Sequence, residues 1–234
     1  MSELERDPIS DMPWPGPVEP RAEVSNAIRR QCTAGLGPRM RLRAGHRLAI
    51  SLLLSAAIIS YLVYFGASHG RPESALRGAL YGAIGWSVVQ AIVLFFGLTR
   101  PPGRRISRRL RVALLLGVPL AFLIYLVFAG AGAAPLYDVT HGVQGAWTLR
   151  CGGFALAFGA LASLGMLLVW RGTDPLTPGL SGALAGVAGG LAGACAIGCG
   201  CAATETWHLI LSHGSILIAF GAIGWAFGRR WLAP

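Results

Sequence analysis

Gly179-Leu-Ser-Gly182-Ala-Leu-Ala-Gly186-Val-Ala-Gly-Gly190-Leu-Ala-Gly-Ala-Cys195-Ala-Ile-Gly-Cys199-Gly-Cys201 contains no charged side chain. It is long enough to cross a bilayer, which takes ~20 mostly apolar residues. Its glycines overlap in small-xxx-small patterns, notably Gly182-xxx-Gly186-xxx-Gly190, together with Gly179, Gly189 and Gly193. Such a stripe lets a second helix backbone approach closely. The segment therefore reads as a transmembrane helix and as the packing centre of a bundle. A seam between two copies of the chain, a homodimer, fits the same pattern.

Five further apolar segments flank it. With the Gly-rich one they place transmembrane spans at about 48–66, 79–98, 112–133, 152–170, 179–201 and 208–227. The chain has 234 residues, 54% hydrophobic and only 13% charged, about half the charged share of a soluble globular domain. Six such segments with little amphipathic sequence between them can be covered only by lipid and by each other. The fold class predicted is all-α: a polytopic bundle of six transmembrane helices (48–228), a short and mostly disordered N-terminal arm (1–47) and a C-terminal tail (229–234).

A net charge of +10 would ordinarily point to nucleic acid, but the map of the charges says otherwise. All twenty basic residues are Arg, and none lies inside a predicted span. With the N-terminus inside, eight fall in 1–47, six in 99–111, one at Arg171 and two at Arg229 and Arg230. The opposite side holds Arg71, Arg77 and Arg150. This 17-to-3 split follows the positive-inside rule. It predicts a multi-pass protein of the inner (cytoplasmic) membrane with both termini in the cytoplasm, and no direct nucleic-acid partner. The first long apolar run begins after 47 residues, and six of the ten acidic residues precede it. No cleavable leader is therefore expected.

Outside the spans, two segments stand out as interaction surfaces. The arm carries a proline cluster, Met12-Pro13-Trp14-Pro15-Gly16-Pro17, unable to form helix. A short helical stretch over 21–32 follows, in which Val24, Ala27 and Ile28 share one face. The arm is too small to bury a core, so Trp14 and that face are candidates for binding a partner. The Arg-rich loop at 99–111 serves as topological anchor and suits anionic membrane lipid. Trp147, Trp170, Trp207, Trp225 and Tyr137 fall near predicted interfaces, as an aromatic belt would. Gln90, near mid-membrane, requires an interhelical hydrogen bond.

Reactive groups concentrate where spans 5 and 6 meet: Cys199, Cys201, His208 and His213. Thiols and imidazoles are metal ligands and oxidisable groups. Cys199-x-Cys201 is not a CxxC pair, however, and His208 and His213, five apart, diverge on an α-helix. No metal and no cofactor is assigned on that spacing. Cys151 begins span 4 on the same side, so a disulfide to Cys199 or Cys201 is open. The spans hold no paired carboxylates, no Gly-x-Ser-x-Gly and no His-Glu-x-x-His, and span 5 is no phosphate loop. The chain is not expected to be an enzyme. The absence of a central charge also argues against an ion-coupled pump.

Asp174-Pro175-Leu-Thr-Pro178 entering Gly182-Ala-Leu-Ala-Gly186, then Cys199 and Cys201, then His208 and His213, resembles the NrsF-type six-helix membrane anti-sigma factors. The CarR-like anti-sigma factors are similar in design. Where members often carry an aromatic before the last His, this chain has Ser212. The resemblance implies that the arm holds an extracytoplasmic-function sigma factor at the membrane and releases it on an envelope or membrane signal. Cys199, Cys201, His208 and His213 would be its sensing residues. A small transporter or channel-like protein, and a structural scaffold subunit docking through the Arg-rich loop, are the alternative readings.

Overall fold

A computed structural model describes residues 42–68, 73–99, 107–132, 144–174, 176–201 and 205–232, together with positions 23, 25 and 26. By internal contacts the chain divides into Met1–Arg41 and Leu42–Pro234. The second unit is all helical among the described residues. Its helices are α1 (Ala44–Ser68), α2 (Glu73–Leu98), α3 (Arg108–Gly132), α4 (Gln144–Val169), α5 (Pro178–Gly200) and α6 (Thr206–Trp231). All six are long and apolar enough to cross a membrane, and each coincides with one of the segments expected from hydropathy to within a residue or extends past it. This is a six-helix multi-pass membrane protein. At their N-terminal ends α1 to α4 outrun the predicted spans by several residues because polar positions such as Arg47 and Arg111 extend α-helix past the apolar run.

The bundle is built around α5. Within its spanning window 94% of α5 is buried, against 22–44% for the other five. A helix of Gly, Ala and Ser can be enclosed on all sides because it is thin. Two of its faces are used. Gly182 and Gly186 meet α6 backbone to backbone: a Cβ at Gly182 would run into the Gly224 carbonyl and lie 2.6 Å from Gly228 Cα, and one at Gly186 would run into the Phe220 carbonyl. Gly190 continues the line, with the Ile216 carbonyl 3.1 Å from such a Cβ. On the opposite side Gly193 faces α4, where a Cβ would lie 2.5 Å from Gly159 N and 2.7 Å from its Cα. The glycine stripe is thus occupied within the chain by α6.

Buried polar groups join the helices where apolar packing would leave the order undefined. Gln90 donates from Nε2 to Ser55 Oγ at 2.9 Å and to the Ala188 carbonyl at 2.7 Å, linking α2 to α1 and α5. Ser55 and Ser51 donate in turn to the carbonyls four residues back. Ser51 also accepts the indole N–H of Trp170 at 3.1 Å. Trp170, expected in an aromatic belt, is therefore a correction. It is 1% exposed and sits beneath the first turns of α1, because its N–H has a buried partner there. Trp207 and Trp225 remain exposed, as do Leu53, Tyr64, Leu116 and Phe128, facing outward as lipid-contacting side chains do. Tyr137 lies outside the described residues.

Candidate functional site

Both ends of α5 are polar, and they are built differently. At the N-terminal end the chain turns from α4 through Gly172, whose φ of 67° is the left-handed conformation glycine adopts without strain. Asp174 then accepts the backbone N–H of Leu176 at 3.0 Å and of Thr177 at 2.8 Å on Oδ1. Those bonds close an Asx turn that aims Pro178 into the first turn of α5. Asp174 Oδ2 receives the Thr177 hydroxyl at 3.0 Å, the Ser181 hydroxyl and Arg111 Nη2 at 3.2 Å. Arg111 reaches in from the start of α3 and also donates to Thr177 Oγ1 at 2.5 Å and to Ser181 Oγ. Both charges are buried, Arg111 at 4% and Asp174 at 2% exposure. Arg47 of α1 donates to the Val169 carbonyl at 2.6 Å at the C-terminal end of α4. The backbone N–H of Asp174 binds the Leu232 carbonyl, just past α6. Five helices are therefore tied at this end. α1, α3 and α5 start there and α4 and α6 finish there, so Ala44 and Trp231 lie on one side of the bundle.

At the other end of α5 lies a thiol–imidazole cluster. Cys201, the residue after α5, places its Sγ 3.6 Å from Cys151 Sγ of α4 and 3.2 Å from His208 Nε2 of α6. The ligand atoms of Cys151, Cys201 and His208 all fall within 4.8 Å of one another, and all three residues are buried. His208 Nδ1 faces Thr148 Oγ1 at 3.2 Å. His213 is 1% exposed, its ring centroid 5.8 Å from that of His208, and its Nδ1 lies 3.3 Å from the Ala194 carbonyl.

Spacing arguments alone missed this arrangement, for a local reason. Residues 210–214 form a π turn, in which the Ser215 N–H bonds to the Ile210 carbonyl five residues back. A π turn holds more residues than an α turn. Two histidines five apart, divergent on an α-helix, are thereby turned toward the same neighbourhood. Cys199 is the residue the structure leaves out of the cluster. It is fully buried two positions earlier, its carbonyl pressed against α1 at Gly66. Cys151 takes the place expected of Cys199. Trp14, Val24, Ala27 and Ile28 of the arm lie outside the described residues.

An Asp-x-x-Thr-Pro turn entering a glycine helix, followed by this cluster, is accompanied by a match over nearly the whole chain. Residues 33–233 match the family model described as NrsF, negative regulator of sigma F. The chain belongs to the NrsF family. The NrsF match covers all six helices and both polar ends of α5, and it begins after Trp14, Val24, Ala27 and Ile28. No curated protein and no solved structure matches this NrsF member. The family's description as a negative regulator gives it a sigma factor as its partner and a regulatory role.

Proposed function

We propose that this chain is a membrane-bound anti-sigma factor that holds an extracytoplasmic-function sigma factor through its N-terminal arm. An envelope or membrane signal acting on the bundle releases that factor. The observation that carries the reading is the match to a family of negative regulators of sigma F across all six helices. A sigma factor is soluble, so chain outside the membrane must bind it. The segment before α1 is the longest such segment, and it lies on the side that holds 17 of the 20 arginines. That side is the cytoplasm by the positive-inside rule, and the compartment is the inner membrane. Within the arm, Trp14 offers a large rigid contact, and the Val24, Ala27 and Ile28 face offers a helix that folds on its partner. Losing one such anchor typically costs ~2 kcal/mol or more.

The signal end is the cluster of Cys151, Cys201, His208 and His213, at the opposite end of α5 from the Asp174 turn. Cys199 is not carried into this reading. The glycine stripe is filled by α6, so a homodimer is not part of it either.

Deleting residues 1–40 tests the proposal. The truncated protein should fractionate with membranes at wild-type levels while transcription from the sigma factor's promoters becomes constitutive. Normal insertion with repression intact would reduce the arm to a leader and move the docking surface to the Arg-rich loop.

A further inference from the structure

The cluster at the C-terminal end of α5 brings two thiols and an imidazole to separations from which a single ion could be shared. A disulfide brings its sulfurs to about 2.05 Å. Two thiolates on one tetrahedral zinc, each at about 2.3 Å, stand roughly 3.8 Å apart, and a thiolate and an imidazole on the same ion roughly 3.6 Å apart. The observed separations are 3.6 Å for Cys151 Sγ to Cys201 Sγ and 3.2 Å for Cys201 Sγ to His208 Nε2. All three ligand atoms lie within 4.8 Å of one another. The donors converge from three separate elements: α4, the end of α5 and the start of α6.

The surroundings are those of a ligand set. His208 presents Nε2 to the thiols while its Nδ1 is held by Thr148 Oγ1 at 3.2 Å. Metal-bound imidazoles are fixed in tautomer and orientation by such a second partner. Thr148 is itself anchored, its carbonyl accepting the Ser212 hydroxyl at 3.0 Å. His213 supplies an independent observation. A carbonyl can only accept, so Nδ1 carries the proton toward Ala194 at 3.3 Å. That leaves a lone pair on Nε2, which is buried and has no hydrogen-bond partner among the described residues. Leaving such an atom unsatisfied ordinarily costs about 1–3 kcal/mol. The His213 ring lies beside that of His208, their centroids 5.8 Å apart, and His208 Nε2 is 3.2 Å from Cys201 Sγ. The π turn, which departs from α-helical hydrogen bonding, is what brings the second imidazole there.

We propose that Cys151, Cys201 and His208, with His213 as the fourth ligand, form a binding site for a divalent cation of the zinc class. Soft thiolates with imidazoles select such ions over hard cations, which take oxygen ligands. Charge agrees: two thiolates neutralise a dication, so the loaded site is electrically neutral at a position sealed from water. Binding breaks two S–H bonds, forms two metal–sulfur and two metal–nitrogen bonds, and releases two protons to solvent. No electron moves. The ion would clamp α4, α5 and α6 together at one end of the bundle. The site does not depend on the sigma-factor reading, since it is assayed on the isolated protein.

The test is a titration of the purified, reduced full-length protein in detergent micelles with Co²⁺, followed by displacement with Zn²⁺. One equivalent should bind with the visible bands of tetrahedral cobalt and a thiolate-to-cobalt charge-transfer band, two protons being released per ion. C201S and C151S should each weaken binding at least a hundredfold. H208Q and H213Q should weaken it and alter the visible bands. T148V keeps every ligand and should still cost about ten- to a hundredfold. C195S and C199S, equally buried thiols outside the set, should bind as wild type, and unchanged helical circular dichroism would establish that each variant is folded. The proposal is overturned if the reduced wild-type protein takes up no cobalt. It is also overturned if the charge-transfer band survives C201S or is lost as readily in C199S, or if neither histidine substitution changes the spectrum.

Discussion

Arg111 shows how misleading a residue can be in its sequence context. In the run Arg104 to Arg111 it counts as one more cytoplasmic anchor, yet its neighbour Arg109 is exposed while Arg111 is buried against Asp174. Sixty-three positions separate the two partners, and no periodicity relates them. Removing one member of a buried pair strands the other charge, at a cost of about 3–5 kcal/mol. Asp174→Ala should accordingly lower thermal stability in micelles sharply, whereas Arg109→Ala should leave it nearly unchanged. If the two variants melted together, the pair would be a surface interaction. Cys151 was legible as a thiol on the correct side, but its pairing with Cys201 depends on how α4 is rotated, which only packing decides. Trp170 was misplaced for a related reason. An aromatic at a span end suits the interface unless a buried acceptor exists for its N–H, and Ser51 is invisible as that acceptor until α1 and α4 are docked.

At the level of helices much more could be read in advance. Spans of about 20 apolar residues are a property of composition, so all six were visible, their ends blurred only by polar residues that continue the helix. The small-xxx-small stripe was visible too, because close approach of two backbones forbids side chains. What it met was not: Gly224 and Gly228 of α6 complete the contact from the other side. Gly186→Leu should therefore separate α5 from α6, since the atom in its way is a backbone carbonyl that cannot rotate aside. Gly198→Ala, with nothing within 4 Å of the added carbon, should be neutral or stabilise the helix by up to about 1 kcal/mol. Melting curves in detergent and yield of folded protein separate these outcomes, and equal behaviour would place the Gly186 face toward lipid. The π turn is the element the sequence concealed. An α-helical ruler laid over His208 and His213 gives the wrong angle, and nothing in Ile210-Leu-Ser-His-Gly214 announces the extra residue in that turn.

For the molecule as a whole, alternation of helix direction puts the start of α1 and the end of α6 on one side, and the proposed orientation, which rests on the arginine distribution, makes that side the cytoplasmic one. A phosphatase reporter active only outside the membrane should be silent when fused after Pro234 and active when inserted at residue 140. Activity at Pro234 would remove the proposed orientation. The central position of α5 also bears on biogenesis. The helix that every other one surrounds is the fifth to leave the ribosome, and the helix that seals its glycine face is the last. Until Gly224 and Gly228 have been synthesised, Gly182 and Gly186 are left without the helix they pack against. A chain stopped before α6 would therefore leave the glycine face of α5 unsealed, which makes the last helix synthesised the one that closes the bundle.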